Sequence, residues 1–186
     1  MSRVCLDAEH GGVDQGAVYD GVREAVLNIE VCLRAEQYLQ RMGHEVLLVR
    51  RGDTSLTQPG NDKAELIARS NLSDSWGADV CVTVAHNACG NPDVSGREVY
   101  HNEGRPESYV LARCIDSHLY VATGPGRGIR QGSIYHMVRV PKAVTALVEV
   151  AYLSNATERN RAKSEWYQEK AALGLAYGID EYLRMR

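Results

Sequence analysis

The 186-residue sequence lacks the features that mark membrane proteins, nucleic-acid-binding proteins and disulfide-rich secreted proteins. No apolar run approaches the ~18–20 residues of a membrane-spanning helix. The 21 basic residues are outnumbered by 24 acidic ones, so the clustered basic surface that binds nucleic acid is not expected. The five cysteines are odd in number and dispersed, which does not fit a disulfide framework. Phenylalanine is absent altogether, and nothing in the sequence explains that absence.

The N-terminus also lacks a recognisable secretory signal. The opening MSRVCLDAEHGG leads directly into a predicted strand, without a basic segment followed by an apolar one. We therefore expect a protein that is made in the cytoplasm and acts after lysis or export, or a segment cut from a longer precursor. At ~150 residues per domain, the length predicts one domain over residues 1–186, and we expect a monomer.

Apolar strands and amphipathic helices alternate along the chain. Strands are predicted at 3–7, 46–49, 79–85, 98–101, 135–140 and 146–151. Helices are predicted at 23–42, 62–75, 107–120 and over most of 157–183, and a polar stretch holds Pro59 and Gly60. In the last helix, Gly174 and Gly178 indicate close packing. This alternation predicts an α/β three-layer sandwich, with helices on both faces of a mostly parallel sheet.

Ligands of such sheets bind at the carboxyl ends of the strands. Side chains that can bind a metal ion follow two of the predicted strands. His10 follows the first predicted strand, His86 follows the third, and Glu24 lies near the start of the first helix. Two imidazoles and one carboxylate are the ligand set of a catalytic zinc hydrolase. Glu149, inside the apolar run ALVEVA, is a candidate general base and acid for such a centre.

Each candidate also has a purely structural interpretation. His10, beside two glycines, is compatible with a residue that caps a turn, and Glu24 with a carboxylate favoured by the helix dipole. Glu149 is the least easily explained in this way. An ionised carboxylate in an apolar strand costs several kcal/mol unless it is paired, so its position favours a function or a charged partner.

Four sequence blocks, in order, carry a resemblance to a known family. The blocks are HGGVDQGA at 10–17, GVRE at 21–24 followed by Asn28, VTVAHNA at 82–88, and LVEVAYLSN at 147–155. Together they resemble the zinc-dependent N-acetylmuramoyl-L-alanine amidases, the amidase type 3 catalytic domain. Arg50, Asp53 and Arg69 resemble further positions of the pattern, and the resemblance covers residues 3 to about 180.

The resemblance implies an activity and a role for each candidate residue. His10, Glu24 and His86 would hold one zinc ion, and Glu149 would be the catalytic acid and base. The implied reaction is hydrolysis of the amide that joins the lactyl group of N-acetylmuramic acid to L-alanine in peptidoglycan. The ring nitrogen of each histidine that does not face the metal needs a hydrogen-bond partner, which the sequence does not identify.

The sequence departs from the family pattern next to the first histidine. The family usually has Pro-Gly before it, whereas this chain has Ala8 and Glu9. The carboxylate of Glu9 either lies beside the metal ligand His10, where it would tighten metal binding or change the pH dependence of the site, or points to solvent. Other residues considered for the site are Glu30 as a rival to Glu24, Cys89 as a further ligand, and His136 as a residue facing the cleft from the strand at 135–140.

Two alternative functions are compatible with the same residues. One is a zinc carboxypeptidase-like peptidase, which would cleave a stem peptide that lacks the sugar. The other is a non-catalytic domain that binds peptidoglycan or regulates another hydrolase. For the biological setting, the domain organisation favours a phage-type endolysin over a catalytic domain taken from a longer parent or a sporulation-stage enzyme.

Overall fold

In a computed structural model, residues 1–58 and 60–186 are described, and Pro59 of the predicted polar stretch lies outside the described residues. The strands are β1 Arg3–Ala8, β2 Val18–Tyr19, β3 Val22–Arg23, β4 Glu45–Leu48, β5 Val80–Asn87, β6 Glu98–His101, β7 Gly128–Gln131 and β8 Val144–Tyr152. The helices are α1 Glu24–Arg41, α2 Asp62–Trp76, α3 Pro106–Thr123, α4 His136–Arg139, α5 Ala156–Ala162 and α6 Glu165–Arg184.

Six of these strands form one sheet in the order β4-β1-β5-β8-β6-β7. Strands β4, β1, β5 and β8 run parallel to one another, β6 is antiparallel to β8, and β7 is parallel to β6. Helices α1, α3 and α6 cover one face, while α2 and α4 lie on the other. The predicted α/β sandwich with a mostly parallel sheet is therefore confirmed.

The central strands are buried on both faces, which explains their nearly continuous apolar sequences. Val4 and Leu6 of β1 belong to the larger core beneath α1, α3 and α6. Cys5 and Cys81 face the smaller core on the other side of the sheet and are fully buried. All five cysteines are free thiols, as their dispersed positions predict.

Helix α1 begins beside the carboxyl end of β5, where the backbone N–H of His86 donates to Glu24. A two-stranded hairpin, β2 and β3, leads directly into Glu24, the first residue of the helix. Sequence analysis predicts the helix to within one residue at each end but not the hairpin, whose strands are two residues long. Among the described residues, none of the helices combines the length and apolar character that crossing a membrane requires.

The predicted strand at 135–140 is wrong. The segment contains the four-residue helix α4. The strand beside β6 on the side away from β8 is β7, at Gly128–Gln131. Met137 and Val138 are both buried although they are adjacent, because a helical turn can direct neighbouring side chains into the core. The apolar residues of YHMVRV suggest a strand, but the position beside β6 is filled by the segment that precedes them.

Helices α3 and α6 pack closely at the glycines of α6. A Cβ atom added to Gly178 would lie 2.5 Å from the Cα atom of Ile115, and one added to Gly174 would lie 3.1 Å from the carbonyl oxygen of His118. Both residues belong to helices, so the small side chain is needed for packing rather than for backbone flexibility. The close packing predicted from these two glycines is confirmed.

We predict that Gly178→Ala lowers the free energy of unfolding by about 1–3 kcal/mol, because the added methyl group overpacks the α3–α6 contact. This loss should exceed the ~1 kcal/mol that alanine gains over glycine in a helix. Urea denaturation followed by circular dichroism measures the change. Gly174→Ala, with its more distant contacts, is the comparison and should lose less. A Gly178→Ala protein more stable than the wild type would contradict the packing argument.

Candidate active site

The turn after β1 places His10 at the carboxyl edge of the sheet. His10 has a φ angle of +62°, in the left-handed region that residues other than glycine seldom adopt. Gly16, two residues before the start of β2, has a φ angle of +64°. A Cβ atom at this position would lie 2.6 Å from both Oε2 of Glu24 and Cδ2 of His10. Only glycine therefore allows the loop to approach these two side chains so closely.

The ring of His10 is held from both sides. Its Nδ1 atom lies 2.7 Å from Oδ2 of Asp14, and its Nε2 atom lies 3.4 Å from Oε2 of Glu24. Burial alone would lower the pKa of His10, but the hydrogen bond and charge of Glu24, with help from Asp14, raise it to about 10. The site thus stabilises a positive charge at the position of this ring.

The Glu24 carboxylate connects three segments of the chain. Its Oε2 accepts a hydrogen bond from the backbone N–H of Ala17 at 2.9 Å, and its Oε1 accepts one from the backbone N–H of His86 at 3.0 Å. Burial would raise the pKa of Glu24, but its interaction with His10 and these N–H donors lower it. The side chain is therefore ionised and fixed in place.

Asn28 orients the ring of His86. The Oδ1 atom of Asn28 lies 2.8 Å from Nδ1 of His86, while its Nδ2 donates to the backbone carbonyl of Glu9 at 3.0 Å. Since the amide oxygen is an acceptor, Nδ1 of His86 carries the proton and Nε2 keeps its lone pair. Burial lowers the pKa of His86 to about 4, so the ring is neutral, as a metal ligand must be.

Glu149 is buried without a partner for one of its oxygen atoms. It lies opposite Ala85 of β5, one residue before His86, and opposite Glu98 of β6. The residue is 8% exposed, and its Oε2 atom has no hydrogen bond among the described residues. Burial, followed by the charges of Glu9 and Glu24, raises the pKa of Glu149 well above its ordinary value. This is the environment expected of a group that exchanges a proton.

Glu9 faces the same site. Its carboxylate, a ring nitrogen of His10 and a carboxylate oxygen of Glu24 all lie within 4.8 Å of one another. Burial raises the pKa of Glu9 to about 7, which does not fit a side chain directed into open solvent. The ring of His86 stands outside this 4.8 Å group, although its backbone N–H binds Glu24.

The other residues considered for the site have partners elsewhere. Glu30 pairs with Arg34 on α1, the thiol of Cys89 donates to the carbonyl of Asn91, and Nε2 of His136 lies 3.1 Å from Oγ of Ser70. His136 therefore contacts α2, and it does so from helix α4 rather than from a strand.

The family model described as N-acetylmuramoyl-L-alanine amidase matches residues 4–181. The chain belongs to this amidase family. It is 32% identical to the germination-specific N-acetylmuramoyl-L-alanine amidase of Bacillus subtilis, over 96% of this chain and 78% of that protein.

Solved structures of relatives agree with this assignment. The catalytic domain of CwlV, an N-acetylmuramoyl-L-alanine amidase from Bacillus (Paenibacillus) polymyxa var. colistinus, superposes with a TM-score of 0.90 at 34% identity, over the whole of both chains. The CwlD amidase of Clostridioides difficile, solved in complex with the GerS lipoprotein, gives a TM-score of 0.94 at 25% identity, also over the whole of both chains. The predicted family is confirmed, and with it the reaction class, amide hydrolysis in peptidoglycan.

In this amidase domain, buried arginines fix the backbone of the His10 turn. Arg50 donates hydrogen bonds to the carbonyls of Ala8 at 2.9 Å and Glu9 at 3.1 Å. Arg69 donates to the carbonyls of Ala8 at 2.9 Å and His10 at 2.8 Å. The sequence blocks point to both arginines without indicating a role, because their acceptors are backbone atoms that no side-chain motif reveals.

We predict that Arg69→Met lowers the free energy of unfolding by about 3–5 kcal/mol, because it leaves the buried carboxylate of Asp7 without its ion pair. Nη1 of Arg69 lies 2.7 Å from Oδ1 of Asp7, and both side chains are almost fully buried. Urea denaturation measures the change. Arg113→Met, at an exposed position of α3, is the control and should change stability by less than about 0.5 kcal/mol. Equal losses in the two variants would contradict the role of the buried pair.

Proposed function

We propose that this protein is a zinc-dependent N-acetylmuramoyl-L-alanine amidase. In this proposal His10, Glu24 and His86 hold the zinc ion, and Glu149 is the catalytic acid and base. The observation that carries the proposal is the unpartnered Oε2 atom of Glu149, buried on β8 opposite Ala85, the residue that precedes His86. An apolar strand would not retain such a group without a function or a cation.

The donor atoms fit a zinc ion. Nε2 of His10 and Oε2 of Glu24 lie 3.4 Å apart, which is about the separation of two ligands bound at ~2.0–2.1 Å to one tetrahedral zinc ion. Asp14 and Asn28 hold the Nδ1 atoms of the two histidines, so each ring would use Nε2 for the metal, and His10 would release its Nε2 proton when the ion binds. The ring of His86 stands outside the 4.8 Å group, and it would hold the ion through its Nε2 atom.

Bound zinc supplies a water molecule of lowered pKa, about 7, and polarises the scissile carbonyl. Glu149 accepts a proton from the attacking water and then delivers it to the nitrogen of L-alanine as the amide bond breaks. Its burial and the neighbouring carboxylates raise its pKa, so it can hold the proton between the two steps. Glu24 keeps the strand end of His86 and the His10 loop in a fixed relation during the reaction.

We further propose that residues 1–186 form one amidase catalytic domain that acts on peptidoglycan as a monomer. The match of the family model to residues 4–181 supports this extent. Release to the cell wall after lysis or export, and the phage-endolysin role, stay predictions.

The proposed reaction predicts a specific product. Purified peptidoglycan digested with the protein and zinc should release stem peptides that carry a free L-alanine amino terminus, detected by mass spectrometry. A chelator should abolish the release, and added zinc should restore it. Shorter peptides, cut within the stem, would identify a peptidase instead. No release with or without zinc would contradict the proposed activity and favour a binding or regulatory domain.

We predict that Glu149→Gln lowers kcat by about 10²–10⁴-fold, the usual contribution of a general acid and base, while zinc content stays at the wild-type level. The amide keeps the size of the side chain but cannot accept the proton. Peptide release and zinc content, measured on the same preparation, separate catalysis from metal binding. The assigned role is wrong if the variant retains wild-type kcat.

We predict that Asn28→Ala weakens zinc binding about 10–100-fold, because the ring of His86 loses the hydrogen bond that fixes its orientation and its proton. Competition with a chromogenic chelator measures the dissociation constant. Asn28→Asp keeps an oxygen acceptor 2.8 Å from Nδ1 and should recover most of the affinity. Equal weakening in both variants would show that the amide acts through the backbone of Glu9 instead.

A further inference from the structure

The backbone of Glu9 is fixed on both sides. Its N–H donates to the carbonyl of Val84 at 3.0 Å, which extends the pairing of β1 with β5 by one residue. Its carbonyl accepts from Asn28 at 3.0 Å and from Arg50 at 3.1 Å. The direction of the Glu9 side chain is therefore set by the same contacts that orient His86 and close the His10 turn.

The carboxylate of Glu9 has no ion pair or hydrogen bond within the described part of the chain. Its neighbours differ in this respect, since Asp14 and Glu24 both interact with the ring of His10. The Glu9 carboxylate instead lies within 4.8 Å of the donor atoms of His10 and Glu24. It also lines a cavity of about 230 Å³ that His10 and Asp14 share, so an ion can reach it from the surface.

The carboxylates of Glu9 and Glu24 lie together at His10. Among the described residues, His10 is the only basic side chain that contacts either of these carboxylates or that of Glu149 directly. Glu149 is more than nine-tenths buried, its Oε2 atom has no partner among the described residues, and the charges of Glu9 and Glu24 act on its carboxylate. Like charges repel strongly in so dry a place. A divalent cation bound between them would remove this repulsion.

We propose that Glu9 is an additional carboxylate ligand of the metal ion, beyond His10, Glu24 and His86. This inference rests on the metal centre proposed above and adds to it a donor that the family pattern lacks at this position. Zinc in catalytic sites can expand to five ligands, so a fourth protein ligand still leaves a position for water. The added carboxylate gives the site one more oxygen ligand and one more negative charge. The protein should therefore bind zinc more tightly than the same site without Glu9.

Zinc affinity tests the proposal without relying on turnover. The full chain is prepared as the wild type, Glu9→Gln, and Glu9→Gly, which restores the residue that the family usually has. Zinc dissociation constants come from competition with a chromogenic chelator, and circular dichroism checks the fold. Glu30→Gln, which removes a carboxylate from α1 outside the site, is the matched control. We expect the control to bind like the wild type and both Glu9 variants to bind at least ~10-fold more weakly.

Cobalt substitution distinguishes a ligand from a nearby charge. The visible absorption of bound Co²⁺ reports the number and type of its ligands, so Glu9→Gln should change both the position and the intensity of the bands. A loss of affinity with an unchanged cobalt spectrum would mean that Glu9 acts through its charge alone, and direct ligation would be refuted.

The outcomes also separate this inference from the proposed metal centre. Equal zinc affinity in the wild type and Glu9→Gln would overturn the role of Glu9 and leave the other ligands in place. A wild-type protein that binds no zinc would overturn the metal centre itself, and the role of Glu9 with it.

Discussion

The carboxylate of Glu24 is the interaction on which the site depends. It meets the ring of His10, the backbone N–H of Ala17 and the backbone N–H of His86, so one side chain joins the loop after β1, the start of α1 and the end of β5. Gly16 must lack a side chain for this meeting to occur. The geometry of the proposed zinc site is thus a property of three segments held together, rather than of any one motif.

Around the Glu24 carboxylate, negatively charged side chains outnumber the basic side chains that can pair with them. Arg50 and Arg69 lie close to the His10 turn, but they are occupied by backbone carbonyls and, for Arg69, by Asp7. The two arginines therefore hold the backbone of the His10 turn in place. The carboxylates that face the site have only the ring of His10 as a basic partner among the described residues. Burial of Glu149 without a partner increases the imbalance. A site short of positive charge in a dry environment is physically suited to a divalent cation.

Sequence patterns predicted most of the fold because its central strands and long helices have strong, unambiguous periodicity. The strand at 98–101 matched β6 at both ends, and helix α1 was placed to within one residue. The error at 135–140 lies in a segment of only six residues, where a few apolar residues suit a strand or a short helix equally well. Which segment pairs with β6 depends on the rest of the sheet, and local sequence carries no information about that competition.

By itself, the sequence determined the fold class, the family and the candidate residues His10, Glu24, His86 and Glu149. Short motifs, and an acidic residue inside an apolar run, can be recognised from the order of the residues alone. Tertiary structure decided how those residues are held. Asn28 and His86 are 58 positions apart, and no spacing rule connects them. The direction of the Glu9 carboxylate was likewise undetermined until the backbone contacts of Asn28, Arg50 and Val84 were seen together. Such contacts form only when distant segments fold against one another, so the sequence named the residues and the fold arranged them.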